Sequence, residues 1–207
     1  MNSTLAELSA KVLAARLIDL EDVKKLRRGL FSEEQIVDHI FDEEIIDRDE
    51  AEMLFAINDA VSRGHCHESW RELFVEAITS HTLKDEMSAG ALDADEAQFI
   101  ISRIEKDGKI DLAELELVVN VSASVTSAPE FFHEYVLAAL RKDVLETGSV
   151  DEARSSRIRR VIFGPGSRSG KEIDQSEISW LRQIDEVTKD KGNHSTWDIL
   201  KRELEIF

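Results

Sequence analysis

The sequence predicts an all-α protein of about ten helices, arranged as three diverged copies of a helix–loop–helix unit roughly 60 residues long. Three observations carry this prediction. The pattern Ile-Asp-x-x-Glu occurs at Ile46-Asp47-x-x-Glu50, Ile110-Asp111-x-x-Glu114 and Ile173-Asp174-x-x-Glu177, with its aspartates almost evenly spaced along the chain. Apolar residues follow each aspartate at helical spacing, not in the alternation of a strand. The 207 residues include only 2 prolines and 9 glycines, too few for the many turns of a sandwich or barrel.

Taken in order, residues 1–30 read as an N-terminal helical segment. Met1 to Arg16 mixes Glu7, Lys11 and Arg16 with apolar residues at helical spacing, unlike the continuous apolar stretch of a secretory signal. The segment ends with Ile18-Asp19-x-x-Asp22, a partial echo of the shared pattern. The first unit, 31–83, opens on Phe31-Ser32, carries Ala51, Leu54 and Ile57 behind Asp47, and reaches its aromatic at Trp70. The second, 92–145, opens on Leu92-Asp93 and carries Leu115, Val118 and Val121. Phe132 takes the aromatic place there after a slightly shorter connection. The third, 150–207, opens on Val150-Asp151 and carries Ile178, Leu181 and Ile184. Its Trp197 stands as far beyond Asp174 as Trp70 stands beyond Asp47.

From each aromatic onward the apolar faces agree. Trp70, Leu73, Phe74, Ala77 and Ile78 match Phe132, Tyr135, Val136, Ala139 and Leu140, while the third unit keeps Trp197, Leu200, Leu204 and Phe207. That spacing is one buried stripe of a helix, and the units are drawn as packing into one compact domain.

Helix starts are written in capping residues. A Ser or Asp side chain accepts from an otherwise unbonded amide of the first turn, and an acid or amide three residues on reaches back. Ser32-x-x-Gln35, Asp47-x-x-Glu50, Ser69-x-x-Glu72, Asp93-x-x-Glu96, Asp111-x-x-Glu114, Ser127-x-x-Glu130, Asp174-x-x-Glu177 and Ser195-x-x-Asp198 all fit. The β-branched run Val118 to Val125 resembles a strand on composition, but its register with Leu54 and Leu181 predicts helix.

Composition excludes several functions. A formal charge of −17 repels a phosphate backbone, so nucleic acid is not an expected partner. No apolar run approaches the roughly 18 residues of a membrane span, so no membrane role is expected. Cys66 is the lone cysteine, which fits a reducing compartment and a cytoplasmic protein. The strong acidic field points instead to a basic protein partner or to bound cations.

The best chemical signal is Arg103-x-Glu105-x-Asp107-Gly108-x-Ile110-Asp111-x-x-Glu114. It resembles the calcium loop of EF-hand proteins, over about 12 residues, or about 30 with the flanking helices. The resemblance implies an EF-hand-like helix–loop–helix. It also implies calcium ligands at Glu105, Asp107, Asp111 and Glu114, with Gly108 at the turn and Ile110 at the apolar position that pairs with a neighbouring loop. Arg103 departs from the family by placing a cation where the first carboxylate belongs. The stretch Asp85 to Glu96 is a degenerate second loop, closer to the first than paired EF-hands usually stand, with Met87 and Ala89 replacing ligands.

His65-Cys66-His67-Glu68 has the residue types of a zinc site but no second cluster to complete it. Gly164-Pro165-Gly166-Ser167-Arg168-Ser169-Gly170-Lys171 has the glycines and lysine of a phosphate loop, yet Glu172 stands where Ser or Thr is required. It reads as an insertion in the third unit. No catalytic constellation emerges. The sequence therefore predicts a non-enzymatic acidic interaction or scaffold protein without a required cofactor. A calcium-responsive EF-hand-like module is the first alternative, and an enzyme with an unrecognised carboxylate site the second.

Overall fold

Aspartate side chains begin most of the helices. A computed structural model describes residues 3–31, 46–62, 64–83, 90–165 and 173–204. In it the oxygens of Asp47, Asp93, Asp111 and Asp174 accept from the amide three residues on, and the glutamate there reaches back, forming four complete capping boxes. Asp19 and Asp151 cap by the first of these bonds. Each box satisfies two amides that have no partner within the helix and sets negative charge against the positive end of the helix dipole.

The described residues form α1 (Ser3–Ala15), β1 (Leu17–Ile18), α2 (Leu20–Leu30), α3 (Arg48–Val61), β2 (His65–Cys66), α4 (Ser69–Leu83), α5 (Ala94–Ile104), α6 (Leu112–Ser124), α7 (Glu130–Thr147), α8 (Glu152–Ile162), α9 (Gln175–Thr188) and α10 (Ser195–Leu204). A 3-10 turn, Glu105–Asp107, follows α5. The chain is thus mostly helical, and Val118 to Ser124 is helix within α6. The strands β1 and β2 pair in parallel over two residues each.

Three of the predicted serine caps are corrected. Pro129 occupies the N-cap position of α7 without a side-chain bond, and Ser127 lies before it, bridged to Ala91. Ser69 and Ser195 are the first residues of α4 and α10, not residues ahead of them. Histidines serve these two starts: Nδ1 of His67 accepts from the Ser69 amide at 3.2 Å, and Nδ1 of His194 from the Thr196 amide at 3.4 Å. Ser32, Gln35 and Phe207 lie outside the described residues, as do Met87 and Ala89 of the degenerate second loop.

The chain divides into two compact units, Met1–Met87 and Ser88–Phe207, with the cut between the first and second stretches drawn from sequence. In the first, α1 packs on α3, α2 on α4, and α3 on α4. Its core holds Leu26, Leu54, Ile57, Trp70, Leu73, Phe74 and Ile78, all essentially without solvent contact. The Phe55 ring meets Phe74 edge-on at 5.3 Å, and Trp70 stacks on Phe74 at 5.9 Å. Where α1 meets β1 the backbone of Arg16 is left-handed, φ 50°. Gly64 lies so close that a Cβ on it would stand 2.1 Å from the Arg16 carbonyl oxygen, so only glycine fits.

In the second unit α6 packs on α7 and α8, α7 on α5, α8 and α9, and α8 on α10. Val118, Val121, Phe132, Val136, Leu140, Ile158, Leu181, Ile184, Trp197 and Leu200 fill its core. Polar contacts cross from α9 to α7. Trp180 Nε1 donates to the Leu137 carbonyl at 3.2 Å, and the buried pair His133 and Glu177 brings Nε2 to 3.2 Å from Oε1.

Candidate functional site

The predicted cation loop is the link from α5 to α6. Helix α5 ends because Glu105–Asp107 tighten into the 3-10 turn and Gly108 turns left-handed, φ 75°. Beyond its two chain neighbours, no atom lies within 4 Å of where its Cβ would be, so glycine is used here for backbone conformation and not for space.

Glu105 caps the end of α5 and is exposed. Asp107 is exposed, and its Oδ1 accepts from the Lys109 amide at 3.0 Å. Asp111 and Glu114 meet each other: Asp111 Oδ1 accepts from the Glu114 amide at 2.9 Å, and Glu114 Oε2 from the Asp111 amide at 2.8 Å. Glu114 is buried. Arg103, on the last turn of α5, sets its guanidinium over the Phe99 ring, 5.4 Å from the centroid. Among the described residues no group of three or more His, Cys, Asp or Glu side chains is placed to hold a metal ion.

Sequence reasoning counted Tyr135 only as part of a buried stripe. It is half-buried on α7, and its phenol is pushed up to about 12, first by burial and then by the negative charges of Glu105 and Glu114. The hydroxyl therefore stands in the field of two of the four predicted ligands. Local spacing could not have revealed this, because Tyr135 sits on the helix after the one that Glu114 begins, beyond the reach of any pattern within one helix.

The histidine–cysteine run does not gather at one point. His65 and Cys66 are exposed on β2, whereas His67 turns its Nδ1 to the start of α4. Of the glycine-rich stretch, residues 166–171 lie outside the described residues. Gly164, just before them, is forced by packing: a Cβ there would stand 2.6 Å from the Arg160 carbonyl oxygen and 2.9 Å from Ala123 Cα.

Among the described residues, a cluster of ion pairs gathers on α8. Arg154 meets Asp143 at 2.9 Å and also Asp151, and Arg157 meets Glu116 at 2.6 Å. Arg160 meets Glu116 at 3.4 Å and Asn120 at 2.6 Å, and Arg159 pairs with Glu203. Four of the chain's cations are thereby turned onto its own carboxylates. No helix among the described residues is long and apolar enough to cross a membrane. No protein-family model matches the chain, and no curated protein or solved structure matches it either.

Proposed function

We propose that this chain is a non-enzymatic, cytoplasmic interaction protein that presents an acidic surface to a basic protein partner and does not bind nucleic acid. It is built from three diverged helix–loop–helix copies. The observation that carries the partner's chemistry is the consumption of the basic helix α8. With its four arginines paired internally, the field the protein projects is that of its excess carboxylates, −17 overall. Such a field steers a positive partner and weakens with salt.

The repeat reading is supported by shared local chemistry. Asp47, Asp111 and Asp174 each close a capping box. Trp70 Nε1 donates to Asn58 Oδ1 and Trp197 Nε1 to Asp185 Oδ1, at the same separation along the chain. The amides of Trp70, Phe132 and Trp197 each donate to the carbonyl three residues before, at 2.9, 3.0 and 2.9 Å. Stacked helical units of this kind leave extended surfaces for partners.

The test is affinity purification of the full chain from the cells that make it, at low and at high salt. The expected result is a stoichiometric basic protein that is released as salt rises. A chain that recovers no stoichiometric partner, or one whose retention ignores salt, overturns the reading.

A second reading is favoured by the left-handed Gly108 at the turn position of the α5–α6 loop and by the negative field at Tyr135. In it Glu105, Asp107, Asp111 and Glu114 take up calcium and shift the packing of α5 and α6.

A further inference from the structure

The main-chain hydrogen bonds that close each helix–loop–helix carry their own register. In the first copy the parallel strands pair Leu17 with His65 and Ile18 with Cys66, and the His67 amide donates to the Ile18 carbonyl at 3.0 Å. Leu17 stands two residues before the capping Asp19, and His65 five before Trp70. In the second copy Ala91 stands two before Asp93 and Ser127 five before Phe132. These two residues form a parallel bridge, with the Leu92 amide donating to the Ser127 carbonyl at 2.9 Å. In the third, His194 stands three before Trp197 and donates at 2.9 Å to the carbonyl of Val150, one before Asp151, as His67 does to Ile18. The helices that follow these first partners, α2, α5 and α8, are equal in length.

We infer that the repeating unit is three helices long, spanning 17–83, 91–147 and 150–204, and is closed at one end by main-chain hydrogen bonding in fixed register. The inference rests on the repeat reading and extends it by one helix. Ile18-Asp19, not Phe31-Ser32, then opens the first unit, and α1 is an added helix outside it. Counted along the sequence from the end of the first helix to the cap of the second, 31–47 is the longest stretch, 163–174 is intermediate and 105–111 is the shortest.

This register also explains why the second copy has one bridge where the first has two. Pro129 occupies the place of His67 and His194. Proline has no amide hydrogen, so the next rung, to the Leu92 carbonyl, cannot form and the ladder stops.

Two experiments on the full chain test this. In Pro129→His, the new amide should pair with the Leu92 carbonyl and exchange its hydrogen at least about tenfold more slowly than an unstructured amide, in the range of the amides of 67 and 194. An unprotected 129 amide beside protected amides at 67 and 194 overturns the three-helix register. It would leave intact the two-helix repeat, which tryptophan-pair mutants test separately. In the second variant, residues 31–46 are replaced by Glu105–Ile110. The shorter link should suffice if α2 and α3 correspond to α5 and α6, preserving the helical dichroism and a cooperative unfolding transition. Loss of both overturns the register, because the first unit would then need more between α2 and α3 than the second needs between α5 and α6.

Discussion

Trp70 and Trp197 are both fully buried, and each gives its indole N–H to a side chain one helix earlier. The acceptors differ in charge. Trp70 bonds the neutral amide oxygen of Asn58 at 3.1 Å, whereas Trp197 bonds the carboxylate of Asp185 at 2.9 Å, which also holds Lys201 Nζ at 2.8 Å. A neutral hydrogen bond contributes about 1 kcal/mol net and one to a charged group about 1.5–3 kcal/mol. Double-mutant cycles isolate that pairwise value from cavity and desolvation terms. Trp70→Phe with Asn58→Ala should therefore couple by about 1 kcal/mol, and Trp197→Phe with Asp185→Ala by about 2 kcal/mol. The single Trp70→Phe change should cost more, roughly 2–4 kcal/mol, because it takes the indole donor away from a buried amide and puts a smaller ring in its place. Truncation of either tryptophan to Ala should cost roughly 3–5 kcal/mol. Urea unfolding followed by far-ultraviolet dichroism reads these values without depending on the fluorescence of the removed indole. Coupling near zero in both cycles, or a stronger coupling at Trp70 than at Trp197, would refute the equivalence of the two positions and the role assigned to charge.

Tyr135 is the chain's one tyrosine, so a phenolate absorbance titration reports it alone. Its folded pKa is raised from the ordinary 10.0 to about 12. The stability gained from the neutral phenol is thus present below pH 10 and lost as pH rises toward the folded value; Glu105→Gln should lower the midpoint, and a midpoint near the ordinary value in the folded protein would contradict the placement. Gly64→Ala should destabilise by at least about 3 kcal/mol, since its new methyl meets main chain and no rotamer can relieve the contact. Gly108→Ala, with open space around it, should cost only the left-handed backbone, about 1–2 kcal/mol; urea midpoints that rank the two the other way would sink this. For the calcium reading, Arg103→Asp supplies the missing carboxylate and should give a calorimetric signal at millimolar calcium that Glu114→Gln in the same background removes, since the last loop position provides two oxygens in the EF-hand geometry. No heat in the Arg103→Asp protein would mean that the loop shares only its helix start with an EF-hand.

What the sequence determined by itself is what one helical turn can decide. The boxes at Asp47, Asp93, Asp111 and Asp174 need only two residues three apart, and the stripes behind Trp70, Phe132 and Trp197 need only helical periodicity. The same spacing left the candidate site ambiguous, because Asp111 and Glu114 carry the oxygens of a capping box and of a calcium loop at identical positions. Tertiary structure decided what lies beyond a turn. It carried the phenol of Tyr135 into the field of Glu105 and Glu114, set Gly64 against the carbonyl of Arg16, and turned α8's arginines onto carboxylates from α6, α7 and α10. It also moved the start of α7 from Ser127 to Pro129, because the Ser127 carbonyl accepts from Leu92, which precedes two whole helices of the chain. Each of these outcomes depends on backbone or charge brought from a distant segment, and local propensity contains no term for a partner that folding has yet to deliver.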